Sequence, residues 1–384
     1  MNLIKNIGYL FMSLLYKRDK KIVIIGAWFG DSYSDNSRAL YEYLSVNKEK
    51  YELEHVVWST RSKKVYEELK DLGLEVYMMD SKESIYYHKK AKYHIICNSA
   101  YNNEDIKSDL LTKYSYGAVK INLWHGAGAI KSVGYKSRQY KDSLLKDKIK
   151  SKRIFRILFT EGGWGDCYYL VPSNTTLKQM QEMHHLPKNN YIKANYPRLA
   201  PNLFLLEEEK NIISEMEKYN KVLLYLPTFR LKGMDFNYNI VDDEFSRFLK
   251  ENNYLLIEKY HSYDNSSNES FNENVLKLSN QFDINSILNK IDIVITDYSS
   301  VCLDAYFYGK EVSFYTPDID EYDRRVGIVK EAKELFNNNR SKTISDLIKN
   351  IKQNNRIDER IIIKYWGTNE VDMDIITRKL LGRK

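Results

Sequence analysis

Residues 291–316 read IDIVITDYSSVCLDAYFYGKEVSFYT, and the alternation of apolar and polar segments here is the clearest indication of the fold class. Its first apolar run, Ile291 to Ile295, is typical of a parallel strand that is buried on both faces. A polar turn follows, then apolar residues at helical spacing, and a second apolar run begins after Gly309-Lys310. The order strand, polar turn, helix, strand predicts one unit of an open parallel sheet.

Ser299 and Ser300 stand where the predicted helix begins. Their hydroxyl groups can cap free backbone N–H groups at that helix start. The same N–H groups, together with the helix dipole, can instead hold an anion such as a phosphate. Serine is a common N-cap residue, so the pattern alone favours the cap, and the anion site is the alternative.

The length and composition predict a globular chain of two domains. The 384 residues exceed one ordinary core, and the hydrophobic share is 43% beside a charged share of 29%. The formal net charge of +7 favours anionic partners such as nucleotides, phosphorylated polymers or lipid headgroups. Cys97, Cys167 and Cys302 are far apart and form neither a metal spacing nor a disulfide framework. We therefore expect a reducing, cytoplasmic setting, no cofactor and no essential protein-bound metal.

The first residues predict an amphipathic helix. Apolar residues repeat there at helical spacing, and Lys17, Arg18, Lys20 and Lys21 follow them. The apolar stretch is shorter than the ~20 residues that a membrane-spanning helix needs, and it lacks a small-residue cleavage site. A helix that lies on the cytoplasmic leaflet fits this pattern. A helix that packs on the protein's own core fits it equally well.

The first half alternates strands and helices. A strand over 21–27 runs into a polar turn and a helix, and no G-x-G-x-x-G or P-loop motif is present, so dinucleotide and NTPase functions lose their usual support. The later pattern predicts strands at 54–58, 75–78 and 93–97 and helices at 62–71 and 82–91. This alternation predicts a Rossmann-like half.

A histidine follows another predicted strand, residues 119–124. The strand ends at His125-Gly126-Ala127-Gly128, where a side chain is exposed at the carboxyl end of the sheet. Glycine lets a substrate approach the backbone, and histidine can take up a proton near neutral pH. The position favours a functional histidine over one that only bonds a turn.

A basic stretch, Lys136 to Arg156, interleaves lysine and arginine with apolar residues. It predicts contact with an anionic membrane or a polyanionic acceptor, and a solvated helix face is the equally weighted alternative. Nucleic acid would attract the same charge, but no nucleic-acid-binding motif is present, so we expect no such partner.

The second half restarts the pattern after a crossover that begins near Pro201. Strands are predicted at 222–226 and 254–259, and His261 follows the second of them. The 291–316 unit comes next, and the remaining tail has helical periodicity.

Five segments in order resemble the CDP-glycerol glycerophosphotransferase family of teichoic-acid and capsule synthesis. The resemblance runs from about residue 20 to about residue 330. The segments are Ser32-Tyr33-Ser34-Asp35-Asn36-Ser37 with Ala39-Leu40-Tyr41, Trp124-His125-Gly126, Tyr196-Pro197-Arg198, Pro227-Thr228-Phe229-Arg230, and Thr296-Asp297-Tyr298-Ser299-Ser300-Val301 with Asp304 and Phe314-Tyr315.

The resemblance implies an α/β fold of two Rossmann-like domains facing a cleft, of the GT-B type. We expect an amphipathic membrane-associating helix at 1–19, an acceptor-side domain at 20–200, a CDP-glycerol-binding domain at 201–365, and a C-terminal helix at 366–384 that can pack back on the first domain. The implied reaction transfers glycerol phosphate from CDP-glycerol to a hydroxyl of a lipid-linked saccharide or polyol-phosphate acceptor and releases CMP, at the cytoplasmic face of a bacterial membrane.

The resemblance also implies site residues. His125 would be the general base, and the second catalytic histidine would be His261. His261, Arg230 and the Ser299-Ser300 helix end would hold the diphosphate. The remaining expected substrate contacts are Gly126, Arg198, Thr228, Thr296, Asp297 and Asp304. The chain departs from the family pattern at two places. The family usually has Thr-Pro where this chain has Ala127-Gly128, and it usually has proline after the second histidine, where this chain has Ser262.

Other functions fit the same residues. The donor could be CDP-ribitol, since donor choice depends on few pocket residues. A nucleotide-sugar glycosyltransferase would share the fold. A non-catalytic module that binds polyanions or membranes would share the charge. The acceptor, and the choice between a primase and a polymerase, stay open.

Overall fold

The computed structural model of this chain describes most of its residues. The described ranges are 3–101, 107–128, 130–132, 152–231, 233–234, 236–260, 272–336, 339–353 and 359–382. His261 and most of the basic stretch, residues 136–151, lie outside these ranges.

The described residues form a mixed α/β fold with two parallel sheets and two compact units. The first unit comprises Met1–His125, Lys141–Leu205 and Glu370–Lys384, and the second comprises Gly126–Tyr140 and Leu206–Asn369. Each unit contains one sheet.

The sheet of the first unit has seven parallel strands in the order β3-β2-β1-β4-β5-β6-β7. The chain builds β1 to β3 outward in one direction and then returns to place β4 on the other side of β1. The carboxyl ends of β1 and β4 therefore border a topological switch point, where open parallel sheets usually bind ligands. The strands are β1 (Asp19–Ile25), β2 (His55–Thr60), β3 (Val76–Met78), β4 (Ala91–Ile96), β5 (Val119–Asn122), β6 (Tyr168–Val171) and β7 (Tyr191–Lys193).

The sheet of the second unit has six parallel strands in the order β10-β9-β8-β11-β12-β13. Its switch point lies between β8 and β11, because β9 and β10 extend from β8 on one side and β12 and β13 from β11 on the other. The strands are β8 (Lys221–Leu226), β9 (Tyr254–Glu258), β10 (Val275–Lys277), β11 (Ile293–Thr296), β12 (Glu311–Tyr315) and β13 (Arg340–Ser341).

Residues 291–316 form the predicted unit. Strand β11 is buried throughout, the helix Val301–Phe307 follows the polar turn, and β12 begins right after Gly309-Lys310. The strands predicted at 54–58, 75–78 and 93–97 and the helices predicted at 62–71 and 82–91 are also confirmed, with ends that differ by a few residues.

Helices cover the sheets and mostly begin at residues whose side chains can cap an N–H group. Ser62, Ser81, Ser173, Asp242 and Thr343 each accept a bond from the backbone N–H three residues later. In the first unit the helices are Leu3–Ser13, Asp35–Val46, Lys63–Asp71, Lys82–Lys90, Arg153–Leu158, Asn174–His184 and Met373–Leu381. In the second unit they are Glu207–Met216, Asp243–Asn252, Val301–Phe307, Ile319–Arg325, Ile344–Lys352 and Glu359–Trp366.

The C-terminal helix Met373–Leu381 belongs to the first unit. The phenol of Tyr51 donates to Asp374, and the phenol of Tyr93 donates to the Leu381 carbonyl at 2.9 Å. Its apolar residues Ile376, Leu380 and Leu381 are buried.

The helix Leu3–Ser13 turns its polar face inward. Asn6 and Ser13 are buried, and Asn6 Nδ2 donates to the Leu158 carbonyl at 3.0 Å. Ile4 and Phe11 are exposed, at 82% and 65%. In the described part of the chain, no helix is both long enough and apolar enough to cross a membrane.

Candidate functional site

His125 follows β5 in the first unit and lies against two tryptophans. Its ring stacks on Trp124 with the centroids 4.5 Å apart, and the Trp28 ring lies 5.4 Å away. Its Nδ1 is 3.2 Å from the carbonyl oxygen of Cys97, which follows β4. A carbonyl can only accept, so Nδ1 donates and Nε2 is the nitrogen that can take up a proton.

Both tryptophans are held by the two motifs that contain Asp35-Asn36 and Arg198. The indole N–H of Trp28 donates to Asp35 at 3.2 Å, and Asn36 Nδ2 donates to the Trp124 carbonyl at 2.7 Å. Arg198 joins the pair, because its Nη1 lies 2.9 Å from Asp35 and its backbone N–H donates to Asn36 at 3.1 Å. Arg198, predicted to contact substrate, is 3% exposed and bonded inside the protein.

The backbone around His125 is strained. Trp28, Phe29, Asp35 and Trp124 all have positive φ, at 39°, 65°, 65° and 62°. Such conformations are uncommon outside glycine and persist only where the surroundings determine them. The strained residues are therefore those that hold, contact or flank His125.

Asp109 lies at the switch point of the same sheet, although the sequence pattern did not point to it. Its carboxylate accepts the backbone N–H groups of Phe29 at 2.8 Å, Cys97 at 3.3 Å, Asn98 at 2.8 Å and Ser99 at 3.1 Å. Asp109 is fully buried. Burial raises the pKa of Asp109 to about 7, although the four N–H bonds lower it.

Thr228, Arg230 and Asp297 meet at the switch point of the second sheet. The Thr228 backbone N–H and hydroxyl both donate to Asp297, and Arg230 Nη1 donates to Asp297 Oδ2 at 2.7 Å. All three are buried, with Asp297 1% exposed. The structure thus brings together three residues that the sequence had assigned to substrate binding, and bonds them to one another.

Asp318 and three aromatic rings complete this cluster. Arg230 makes two bonds to Asp318, from Nε at 2.7 Å and from Nη2 at 3.1 Å. The guanidinium lies 3.8 Å from the Phe236 ring centroid, and the rings of Tyr298 and Tyr322 stack with centroids 3.8 Å apart. With its bond to the Thr228 carbonyl, Arg230 uses most of its N–H donors inside the protein.

Ser299 and Ser300 precede the helix Val301–Phe307 and are only half-buried. Ser299 Oγ accepts the Val301 N–H at 3.4 Å, which is a weak cap. Ser300 caps no N–H group of the described residues with its side chain. A Cβ added to Gly126 would lie 2.7 Å from Ser300 Oγ, so glycine lets the backbone pass close to this hydroxyl.

Lys131 reaches the same cluster from a short segment of the second unit. The segment pairs with residues near Ile328, since Ser132 N donates to the Gly327 carbonyl and Val329 N to the Ile130 carbonyl, both at 2.9 Å. Burial lowers the pKa of Lys131, Asp297 raises it and Arg230 lowers it. Within the described ranges, Lys131 makes no ion pair and no side-chain hydrogen bond.

The other predicted site residues are placed as follows. Thr296 is buried, and its hydroxyl donates to the Leu226 carbonyl at 2.6 Å, which ties β11 to β8. Asp304 is buried in the helix Val301–Phe307. His261 lies outside the described residues. The described end of the basic stretch pairs Arg153 and Arg156 with Asp166, at 2.8 and 2.7 Å.

Sequence reasoning missed Asp109, Asp318 and Lys131. None stands next to a glycine-rich turn or follows a predicted strand directly. Lys131 lies six residues after His125, and this closeness to a singled-out motif was the available signal. Across the described residues, no group of three or more His, Cys, Asp or Glu side chains is suited to a metal ion.

A family model matches nearly the whole chain. The model is that of CDP-glycerol:poly(glycerophosphate) glycerophosphotransferase, and it matches residues 9–370. The segments that contain Asp35, His125, Arg198, Arg230 and Asp297 all fall within this match.

Curated relatives include glycerol- and ribitol-phosphate enzymes. The teichoic acid poly(glycerol phosphate) polymerase of Bacillus spizizenii is 28% identical over 80% of this chain and 77% of its own length. The teichoic acid glycerol-phosphate primase of Bacillus subtilis is 22% identical over 78% of this chain and 75% of its own length. The teichoic acid ribitol-phosphate primase of Bacillus spizizenii is 22% identical over 94% of this chain and 90% of its own length.

Among solved structures, the chain is similar to the wall teichoic acid polymerase TagF soaked with CDPG. The TM-score is 0.64 at 19% identity, and the match covers 98% of this chain and 96% of the other. A likeness at this identity shows the fold.

Proposed function

The chain belongs to the CDP-glycerol:poly(glycerophosphate) glycerophosphotransferase family, and from this premise we propose that it transfers glycerol phosphate from CDP-glycerol to an acceptor hydroxyl and releases CMP. The family makes it a polyol-phosphate transferase of teichoic-acid synthesis. The acceptor is a lipid-linked saccharide or a polyol phosphate. The observation that carries the proposal is the cluster of Thr228, Arg230 and Asp297 at the switch point of the second sheet.

The second unit binds the donor in this proposal. Ser299 and Ser300 offer half-buried hydroxyls beside the cluster, and the Gly126 backbone passes close to the Ser300 hydroxyl. Arg230 braces Asp297 and Asp318 and thereby shapes the pocket. Lys131 supplies a positive charge that the protein itself does not pair within the described residues, so the donor diphosphate can pair with it.

His125 acts as the general base. The acceptor oxygen attacks the phosphorus that bears glycerol, a new P–O bond forms, and the bond to the bridging oxygen of CMP breaks. The acceptor proton passes to Nε2 of His125, and CMP leaves with the negative charge of the broken bond. Alignment and charge neutralisation carry most of the catalysis in such transfers.

The sequence-based domain assignment stays a proposal. It assigns the acceptor to residues 20–200 and CDP-glycerol to residues 201–365, in a GT-B arrangement with His261 as a second catalytic histidine. The family match over residues 9–370 spans both proposed domains.

CDP-ribitol is the second candidate donor. Ribitol-phosphate enzymes are among the relatives, at identities like those of the glycerol-phosphate enzymes. Both donors carry the same CMP leaving group, so the cluster in the second unit would serve either one.

Measuring CMP release from each candidate donor identifies the donor. We expect release from CDP-glycerol when a membrane extract supplies the acceptor, and none from CDP-ribitol or a UDP-sugar measured in parallel. Release from CDP-ribitol alone would keep the chemistry and change the donor. A folded protein that releases CMP from neither CDP-polyol would contradict the proposed function.

The base is tested with His125→Ala. We expect CMP release to fall by about 10²- to 10⁴-fold, the usual contribution of a general base, while CDP-glycerol binding is kept. His55→Ala is the matched control, because His55 pairs with Glu75 at the surface. Near-normal turnover of His125→Ala would rule out this assignment.

The donor charge is tested with Lys131→Met. We expect affinity for CDP-glycerol to fall by about 10- to 100-fold, the worth of one charge-assisted hydrogen bond, and affinity for cytidine to stay unchanged. Calorimetric titration measures both affinities. Lys290→Met, an exposed lysine of the same unit, is the control. Unchanged CDP-glycerol affinity in Lys131→Met would contradict the pairing.

The helix Leu3–Ser13 binds the membrane surface in this proposal. It buries polar Asn6 and exposes Ile4 and Phe11, and Leu15 beyond it is 85% exposed. Lys17 and Lys20 are exposed nearby and suit anionic headgroups. The enzyme would therefore lie peripherally on the cytoplasmic face of the bacterial membrane.

Vesicle sedimentation tests this contact. A variant with Ile4→Ser, Phe11→Ser and Leu15→Ser should lose binding to vesicles of mixed neutral and anionic lipid by more than about 100-fold, since each side chain contributes about 1.5–3 kcal/mol on burial. Ile363→Ser removes an apolar residue of the second unit that is as exposed as Phe11, at 65%, and is the control. Equal sedimentation of both variants would show that the helix is not the anchor.

A further inference from the structure

The carboxylate of Asp109 joins the ends of β1 and β4. Oδ1 accepts the N–H groups of Phe29 and Ser99, and Oδ2 accepts those of Cys97 and Asn98. These N–H groups lie beyond the strand ends, where the sheet offers no partner. One buried side chain therefore determines the position of both turns.

The peptide group between Cys97 and Asn98 connects Asp109 to His125. A trans peptide is planar, and its N–H and C=O point in opposite directions. Asp109 holds the Asn98 N–H at 2.8 Å on one side, and the Cys97 carbonyl meets Nδ1 of His125 at 3.2 Å on the other. Any rotation of this peptide would move the carbonyl away from the imidazole.

The β1 turn makes the second connection. Phe29 N–H is bonded to Asp109, and the neighbouring Trp28 lies against the His125 ring. Arg61 braces this turn, because its Nη1 donates to the Phe29 carbonyl and, at 2.8 Å, to the Ser108 carbonyl beside Asp109. The turn has little freedom to rearrange while Asp109 is in place.

We propose that Asp109 is a positioning residue that selects the tautomer of His125. By holding the Asn98 N–H it aims the Cys97 carbonyl at Nδ1, so that Nδ1 carries the hydrogen and Nε2 has the lone pair. The role of Nε2 in taking the acceptor proton rests on the proposed function, whereas the tautomer does not.

Asp109→Asn is the direct test. Whichever way the amide lies, its NH2 group faces two of the four backbone N–H donors, so the turns cannot keep their positions. Nitrogen-15 NMR of the histidine-labelled full-length protein reports which ring nitrogen carries hydrogen, and the signals missing from His125→Gln identify His125. We expect Nδ1–H in the wild type, and loss of that preference in Asp109→Asn.

Turnover gives a second measurement. We expect kcat for CMP release to fall by at least about tenfold in Asp109→Asn. The loss should not exceed the whole contribution of a general base, which is about 10²- to 10⁴-fold. The KM for CDP-glycerol should stay within about twofold, because the proposed donor residues belong to the second unit. Loss of folded protein would also lower the apparent kcat at an unchanged KM, so kcat is expressed per folded protein, measured from the unfolding transition of each variant.

Glu42→Gln is the matched control for stability. Glu42 is a fully buried carboxylate of the same unit that accepts the N–H groups of Leu203 and Phe204 and pairs with Arg38 at 2.8 Å. Its substitution should lower the unfolding temperature, since it breaks a buried ion pair. It should leave the His125 tautomer unchanged.

Each outcome decides the proposal. A folded Asp109→Asn protein with the wild-type tautomer would overturn it, and so would a wild type that carries hydrogen on Nε2, a result that needs no Asp109 variant. If Asp109→Asn does not fold, Asp109→Ala, which removes the acceptor without adding a donor, takes its place. If the wild type releases no CMP from any CDP-polyol, the proposed function fails, and the NMR result still decides the tautomer.

Discussion

A buried aspartate bonded to backbone N–H groups lies at the switch point of each sheet, and the candidate residues of each unit depend on the aspartate of that unit. Strand ends in a parallel sheet leave N–H groups without a ladder partner, and burying one unpaired costs about 1–3 kcal/mol. Asp109 accepts such groups beyond β1 and β4, and Asp297 accepts those of Thr228 and Tyr298 beyond β8 and β11. The turns that hold the functional side chains take their positions from these two carboxylates.

The two aspartates differ in how their charge is balanced. Asp297 forms an ion pair with Arg230, which also pairs with Asp318, so this arginine joins two buried acids. An arginine held in this way has little capacity left to bind a ligand phosphate. The proposed donor site therefore takes its cation from Lys131, which lies near Asp297 and Arg230. The Asp109 carboxylate accepts backbone N–H groups of four residues, and these bonds orient the backbone of both turns.

Local periodicity was enough to predict the elements, but not the partners of the site residues. The unit 291–316 was predicted from apolar runs and a polar turn, because those signals lie within one stretch. The bond from Arg198 to Asp35 joins residues far apart in the sequence. Local periodicity cannot predict such a bond, and only the family resemblance singled out both motifs. Asp109 lies in a stretch without periodicity, and nothing local marked it. The pattern of the first helix could not tell that its polar face is buried, since an apolar stripe fits a core and a membrane alike.

The strain around His125 explains why so many bonds surround one side chain. Positive φ at Trp28, Phe29 and Trp124 costs about 1–3 kcal/mol for each residue. The bonds from Asp35, Asn36 and Asp109 to these residues or their neighbours offset that cost and hold the tryptophans against the imidazole. Catalysis of phosphoryl transfer depends strongly on alignment. Strained backbone that orients one histidine is consistent with that chemistry. Arg198 and Asp109 are both bonded inside the protein, to Asp35 and Asn36 and to the turns beyond β1 and β4, so under the proposed function they act through the position of His125.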